Sequence, residues 1–248
     1  MRRIVVLLSI IVIVLVLFSS CGFLLSQLIT GTNQRQYNVQ FFINGLPREF
    51  LNSGISEFQD VKFQDVKIDE TRIEIKISIG GVDYSISETK ISSFVNGFGG
   101  TFNAQESKNI SIEGTVTIRY STDTSFESTE VRLSFPKSTY TIPNNSKNFY
   151  VVFDVPYNSN VPTIRIIDYP YTYRFILVTS DEEFVKITDG TNEYKLFTNE
   201  LSGKKQCTFV TERGTTKIYT FESEKGVLKS GTPKQVGITP DYEEIDLK

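Results

Sequence analysis

The chain contains no histidine and no tryptophan, and only one methionine and two cysteines occur among its 248 residues. Histidine is the commonest general base near neutral pH and the commonest metal ligand in proteins. Its absence excludes Ser-His and Cys-His nucleophilic pairs. The acidic runs, in turn, lack the spaced carboxylates and the glycine of a calcium loop. We therefore expect a protein without catalytic residues, metal or cofactor, and an enzyme that uses Asp, Glu, Lys or Ser alone is the alternative.

Clusters of basic residues are also missing. The formal net charge is −3, acidic and basic side chains are interspersed, and no stripe of Lys and Arg follows residue 3. Proteins that bind nucleic acid neutralise its phosphates with such a stripe. We therefore expect no nucleic-acid partner.

Residues 4–18 form an apolar run that two arginines precede. A charged start followed by an apolar stretch is typical of a signal peptide. The next residues, Phe18-Ser19-Ser20-Cys21, resemble the lipobox of bacterial lipoproteins. The resemblance implies that residues 1–21 carry a lipoprotein signal, that Cys21 is diacylated, and that Cys21 becomes the mature N-terminus.

The apolar stretch continues past this cysteine with Phe23-Leu24-Leu25. Residues 4–29 are therefore long enough to cross a bilayer, which takes about 20 apolar residues. An uncleaved transmembrane anchor is one alternative to the lipoprotein, and cleavage with release of the mature protein is another. With either anchor the N-terminal arginines stay in the cytoplasm. We expect an extracytoplasmic protein held at the membrane of a bacterial cell envelope, with residues 22–36 as a tether.

Cysteine usage bears on stability as well as on anchoring. If Cys21 carries lipid, Cys207 has no partner and the chain forms no internal disulfide. Cys207 and Phe209 alternate on one face of a predicted strand. We therefore expect a buried, structural thiol.

Residues 37–157 place apolar residues at every second position in several stretches. The clearest is residues 72–79, in which four isoleucines alternate with polar residues. This alternation is typical of a strand with one buried face, and Gly80-Gly81 suits a tight turn into the next strand. Turn residues lie between two prolines in residues 156–162 and predict a domain boundary. We expect residues 37–157 to form a β-sandwich domain.

Residues 162–240 continue with short strands about ten residues apart, a spacing typical of a β-sandwich. The strand at residues 217–221, followed by Glu224-Lys225-Gly226 and Ser230-Gly231, resembles the end of a fibronectin type III or bacterial immunoglobulin-like domain. The resemblance implies an immunoglobulin-like fold for this part. Residues 241–248 are expected to fray as an acidic tail. The expected fold class is all-β, with two β-sandwich domains after an N-terminal membrane segment.

The sequence offers one candidate binding surface. Tyr169, Tyr171 and Tyr173 alternate and would share one face of a strand. Exposed, they would form an aromatic platform for a sugar or a partner protein, whereas buried they would belong to a core or to an interface between domains. We expect a non-catalytic interaction or structural module of the cell envelope, with a carbohydrate- or solute-binding surface lipoprotein as the alternative. The expected partners are the membrane and an envelope protein or glycan.

Overall fold

Most of the chain that the structure describes is β-strand. The computed structural model describes residues 34–46, 66–122, 125–159, 161–235 and 239–248. Within these ranges it contains sixteen strands, one short α-helix and two 3₁₀ turns, at Pro143–Asn145 and Tyr169–Tyr171. The all-β prediction is confirmed. In chain order the strands and the helix are β1 (Gln34–Asn44), β2 (Val66–Ile79), β3 (Val82–Glu88), α1 (Ile91–Asn96), β4 (Phe98–Gln105), β5 (Asn109–Thr122), β6 (Ser125–Thr141), β7 (Asn148–Asp154), β8 (Thr163–Asp168), β9 (Thr172–Thr179), β10 (Phe184–Thr188), β11 (Glu193–Phe197), β12 (Asn199–Leu201), β13 (Lys204–Glu212), β14 (Tyr219–Ser223), β15 (Leu228–Gly231) and β16 (Asp241–Asp246).

The strands of the described ranges pair into four sheets of four strands each. Two sheets are antiparallel throughout, in the orders β3-β2-β5-β6 and β11-β10-β14-β15. The other two, β4-β1-β7-β8 and β12-β13-β9-β16, each contain a parallel pair, β1 with β7 and β9 with β16. Parallel neighbours need a long crossover connection. Here β2 to β6 lie between the first pair in the sequence, and β10 to β15 lie between the second.

The predicted alternation at residues 72–79 is confirmed as the two faces of β2. Its four isoleucines are at most 2% exposed, whereas Arg72, Glu74 and Lys76 face solvent. Gly80 and Gly81 have φ angles of +56° and +79°, which a tight hairpin turn requires and which glycine adopts without strain. The Gly-Gly turn into β3 is therefore also confirmed.

One apolar core receives side chains from all four sheets. Phe41 of β1, Ile75 of β2, Phe175 of β9 and Phe221 of β14 belong to it and are at most 1% exposed. Residues 36–248 accordingly cluster as one compact unit. A smaller apolar cluster lies apart from this core and consists of Phe42, Tyr150, Val152, Ile167 and Val210.

The division into β-sandwich domains at residues 37–157 and 162–240 stays a prediction, as does the immunoglobulin-like resemblance. At the predicted boundary, β8 pairs antiparallel with β7, so that the strands on either side of it share one sheet. Residues 156–162 thus connect two hydrogen-bonded neighbours.

Helix α1 was not predicted from the sequence. It is six residues long and contributes Phe94 and Val95 to the core. Gly97 ends it with a φ of +79°, and a Cβ at this position would lie 2.5 Å from Cε1 of Phe42 and 2.7 Å from the carbonyl oxygen of Phe41. Only glycine fits between this turn and β1.

The prediction that residues 241–248 fray is wrong. Residues 241–246 form β16, which pairs along the edge of β9. Ile245 and Leu247 are 6% and 1% exposed, and the backbone N–H of Leu247 donates to the carbonyl of Val178 at 2.8 Å. The strand forms because it buries two apolar side chains and satisfies backbone groups that an open edge would leave unpaired.

No helix in the described ranges is both long and apolar enough to cross a membrane. The predicted signal or anchor segment, including Cys21, lies outside those ranges.

Candidate functional site

The three tyrosines of the predicted platform do not share one face. Tyr169 and Tyr171 lie on the 3₁₀ turn before β9 and are 38% and 54% exposed, whereas Tyr173 is 2% exposed. The prediction of a shared face fails because the turn interrupts the alternation that a continuous strand would have. The hydroxyl of Tyr173 donates to Oε2 of Glu243 at 3.0 Å. Burial, reinforced by this carboxylate, raises the pKa of Tyr173.

Tyr242 of β16 supplies a different exposed tyrosine beside β9. It is 63% exposed and pairs in register with Arg174. The Arg174 guanidinium carbon lies 6.0 Å from the centre of the Tyr242 ring, which is within the range of a cation–π contact. Alternation along residues 241–247 was the signal that could have placed Tyr242 on an outer face.

Tyr150 of β7 links this pair to Tyr169. Its ring is 5.4 Å from the ring of Phe42 and 6.3 Å from the ring of Tyr169. Burial raises the pKa of Tyr150, the positive charge of Arg174 opposes that rise, and Tyr169 adds to it. Arg174 and Tyr169 therefore both lie near enough to Tyr150 to act on its charge. We call Tyr169, Arg174 and Tyr242 the tyrosine–arginine surface.

Arg174 is half-buried and has no carboxylate within ion-pair distance in the part of the chain that the structure describes. Its Nε is buried and has no hydrogen-bond partner there. A buried donor without an acceptor is unfavourable. Within the described residues the guanidinium lies beside the ring of Tyr242 and forms no salt bridge.

A buried polar network fixes the strand beside Arg174. Its other cross-strand neighbour is Val210 of β13. The fully buried Asn44 donates from Nδ2 to the Val210 carbonyl at 2.7 Å and to Oδ1 of Asp154 at 2.9 Å, and its Oδ1 accepts from the Val210 N–H at 3.0 Å. Strands β1, β7 and β13 are thereby joined through one side chain.

Arg165 of β8 completes the network. Its Nη2 donates to Oδ1 of Asp154 at 2.9 Å and to the Val210 carbonyl at 3.1 Å, and its Nε donates to Oδ2 of Asp154. Burial alone would lower the pKa of Arg165, but the hydrogen-bonded carboxylate of Asp154 outweighs it and the pKa is raised. The pair is thus fully charged, bidentate and directional.

The acidic residues between β9 and β10 form surface ion pairs. Nζ of Lys225 lies 2.6 Å from Oδ1 of Asp181, and Lys205 pairs with Glu183. Within the described ranges, no three His, Cys, Asp or Glu side chains are grouped closely enough to hold a metal ion. Glu182, which lies between Asp181 and Glu183 in the sequence, is buried and accepts a hydrogen bond from the backbone N–H of Glu224 at 3.0 Å.

Cys207 of β13 is fully buried and belongs to the main apolar core. The predicted buried, structural thiol is therefore confirmed. Burial raises the pKa of this thiol. A buried, protonated thiol is a poor nucleophile.

A scan against protein-family models and a search of the curated proteins find no match for this chain.

Proposed function

We propose that the chain is a membrane-anchored extracytoplasmic protein that acts as a non-catalytic interaction module of the bacterial cell envelope. We further propose that it docks a partner protein through the tyrosine–arginine surface. The observation that carries this proposal is a pair of exposed tyrosines, of which Tyr242 lies against Arg174 and Tyr169 lies against the buried ring of Tyr150. Tyrosine and arginine are among the residues that most often dominate the binding energy of protein interfaces.

The paired strands that carry the tyrosine–arginine surface support the proposal. Arg174 and Tyr242 stand on paired strands rather than on a loop, and the Asn44–Asp154–Arg165 network holds the neighbouring strand β13. Side chains that are ordered before binding lose less conformational entropy when the complex forms. The ordered side chains of this surface are therefore suited to binding one specific partner.

The charge of the surface indicates what the partner presents. Arg174 lacks a carboxylate partner in the described chain, and its guanidinium lies beside the exposed ring of Tyr242. Complementary charges fix register and favour the correct partner. We propose that the partner places an acidic side chain against Arg174.

The anchor is supported by the sequence of residues 1–29, with its arginines, apolar run and lipobox-like Phe18-Ser19-Ser20-Cys21. Intact-mass analysis of the membrane-extracted chain tests it. A mature chain that begins at a lipid-modified Cys21 is expected. An intact Met1 would replace the lipoprotein with a transmembrane anchor at residues 4–29, and an unmodified mature chain in the soluble fraction would contradict both.

Site-specific photo-crosslinking tests the interaction surface. A photoreactive residue at Tyr242, introduced into the full chain in its native envelope, should give a discrete crosslinked partner. The Arg174→Glu substitution should reduce that product at least tenfold, because a repulsive charge then faces the acidic group of the partner. The control is Leu228→Ala, which truncates an exposed side chain on β15, outside the tyrosine–arginine surface, and should leave the product unchanged. Equal yields from the two variants would contradict the proposed surface.

The alternative function, carbohydrate or solute binding at and beside this surface, is supported by the exposure of Tyr169 and Tyr171 at the two ends of one three-residue 3₁₀ turn. It predicts that the Tyr169→Ala and Tyr171→Ala variants lose binding to purified envelope glycan. The protein-docking proposal predicts instead that glycan binding, if present, survives both substitutions.

A further inference from the structure

A polar trough crosses the outer face of the β3-β2-β5-β6 sheet, separate from the tyrosine–arginine surface. It encloses a cavity volume of about 510 Å³. One row of side chains in direct cross-strand register runs along it, and this row consists of Ser87, Glu74, Thr115 and Ser134. Three of the four are short hydroxyl side chains. The row is therefore lower than the longer side chains on either side.

Charged residues lie along both rims of the trough. On one side Lys76 pairs with Glu113, with Nζ and Oε1 3.0 Å apart. On the other side Arg132 of β6 lies opposite Thr117 of β5. The trough thus has hydroxyl groups along its length and charges on its rims, and apolar atoms contribute as much of its exposed lining as polar atoms do.

A β-bulge in β6 shapes one end of the trough. Ile112 pairs with Ser138 and Gly114 pairs with Phe135, so β6 contains one more residue than β5 across this interval. Pro136 lies within it, as expected for a proline in an edge strand at a bulge. A bulge increases the local twist and bends the sheet. The concavity is accordingly part of the fold and does not depend on a flexible loop.

The charges that line the trough balance. The positive charges of Lys76 and Arg132 are matched by the negative charges of Glu74 and Glu113. Lys76 and Glu113 already form an ion pair with each other. A polyanion would need an excess of positive charge to bind here. The lining therefore favours a ligand that has many hydrogen-bonding groups but no net charge.

We infer that this trough binds a neutral, linear glycan. A chain of sugar hydroxyls both donates and accepts hydrogen bonds, which matches a lining of serine and threonine hydroxyls, the Glu74 carboxylate and the Arg132 guanidinium. The cavity volume lies in the range of ligand sites, about 300–1,000 Å³. Three interstrand spacings of about 4.8 Å give the trough a length of roughly 14 Å, which accommodates a short oligosaccharide. The inference goes beyond the proposed protein docking and places the glycan on a different face.

Titration of the full chain with neutral oligosaccharides tests this inference. The probes are maltohexaose, cellohexaose and chitohexaose, the polyanion control is heparin, and the protein is held in a detergent without a sugar headgroup. At least one neutral probe should bind with a measurable enthalpy, and heparin should not. The Glu74→Ala and Thr115→Phe variants should weaken that binding at least tenfold, the first by removing an acceptor and the second by filling the trough.

The matched control is Glu70→Ala, on the same strand and the same outer face but outside the trough lining. It should leave affinity unchanged, and thermal unfolding of all three variants shows that they are folded. Failure of every neutral probe at 10 mM, or preferential binding of heparin, would overturn the inference. Binding that survives both trough variants but is lost in Tyr169→Ala would move the glycan to the tyrosine–arginine surface and would equally overturn it.

Discussion

Replacing Asn44 by alanine should destabilise the protein more than any surface substitution on the same strand. Asn44 is fully buried and is the only side chain in the described network that hydrogen-bonds both Asp154 and the backbone N–H of Val210. The residues it joins are far apart in the sequence, on β1, β7 and β13. The substitution removes these bonds without adding a charge or bulk.

The expected loss of stability follows from the hydrogen bonds that each partner of Asn44 retains after the substitution. The Val210 carbonyl and the Asp154 carboxylate still accept hydrogen bonds from Arg165, so neither is left bare. The Val210 N–H loses its partner, and a buried unsatisfied donor costs about 1–3 kcal/mol. The two further bonds of Asn44 contribute roughly 0.5–1.5 kcal/mol each when they are lost. We expect a loss of about 2–6 kcal/mol in the free energy of unfolding.

Asn38→Ala is the matched control. Asn38 lies on the same strand, and its Nδ2 donates to Oδ1 of Asn148 at 2.8 Å, but both residues are exposed. Exposed substitutions of this kind usually change stability by less than about 0.5 kcal/mol. Urea denaturation followed by tyrosine fluorescence or circular dichroism measures both variants.

Hydrogen exchange adds a local measurement to the global one. In Asn44→Ala the amide of Val210 should exchange faster than in the parent protein, because its hydrogen-bond acceptor is gone, and the exchange of β2 amides should follow only the global change in stability. Equal stabilities of Asn44→Ala and Asn38→Ala, or unchanged exchange at Val210, would refute the role given to this network.

Three further predictions concern single residues. Cys207 should resist alkylation in the native protein and react on unfolding, because its thiol is fully buried and its pKa is raised; rapid labelling by iodoacetamide without denaturant would contradict this. Glu224→Gln should stabilise the protein at pH 7 but not below pH 4. Burial and Glu182 raise the pKa of Glu224 from 4.5 to about 6, so the folded state favours the protonated acid as the pH falls through that interval. Solvent screening keeps the gain below about 1 kcal/mol, and the pH dependence of urea midpoints measures it. Gly97→Ala should lower the melting temperature well beyond Gly81→Ala, because both have a φ of +79° but only Gly97 is packed against β1; equal shifts would show that backbone conformation alone sets the cost.

Local pattern was enough to predict the strands with one buried face. The alternation of residues 72–79 and the following glycine pair identify β2 and its turn, because side chains in a strand alternate strictly and few residues adopt positive φ. The buried thiol of Cys207 follows from the same rule. Pairing between distant strands does not, since nothing local in Gln34–Asn44 specifies a parallel neighbour at Asn148–Asp154.

The tyrosine platform shows where this rule stops. Alternation predicts a shared face only while the backbone stays extended, but Tyr169–Tyr171 form a 3₁₀ turn that contains Pro170. Tyr169 and Tyr171 therefore leave the strand geometry, whereas Tyr173 enters β9 and points into the core. Proline has the φ that such a turn requires, so Tyr169-Pro170-Tyr171 contained a warning that the period of two was interrupted.

The C-terminal strand shows the opposite error, because a segment predicted to fray forms a strand. Its high content of acidic residues predicted a solvated tail, but charge on alternate positions is compatible with an edge strand whose other face is apolar. Ile245 and Leu247 provide that face, and the pairing of β16 with β9 brings Tyr242 beside Arg174. The candidate surface therefore depends on a contact between residues about seventy positions apart, as the Tyr173–Glu243 hydrogen bond also does. If β16 were removed by ending the chain at Pro240, the edge of β9 would lose its hydrogen-bonded neighbour. A truncated chain should therefore gain a tendency to aggregate through that edge.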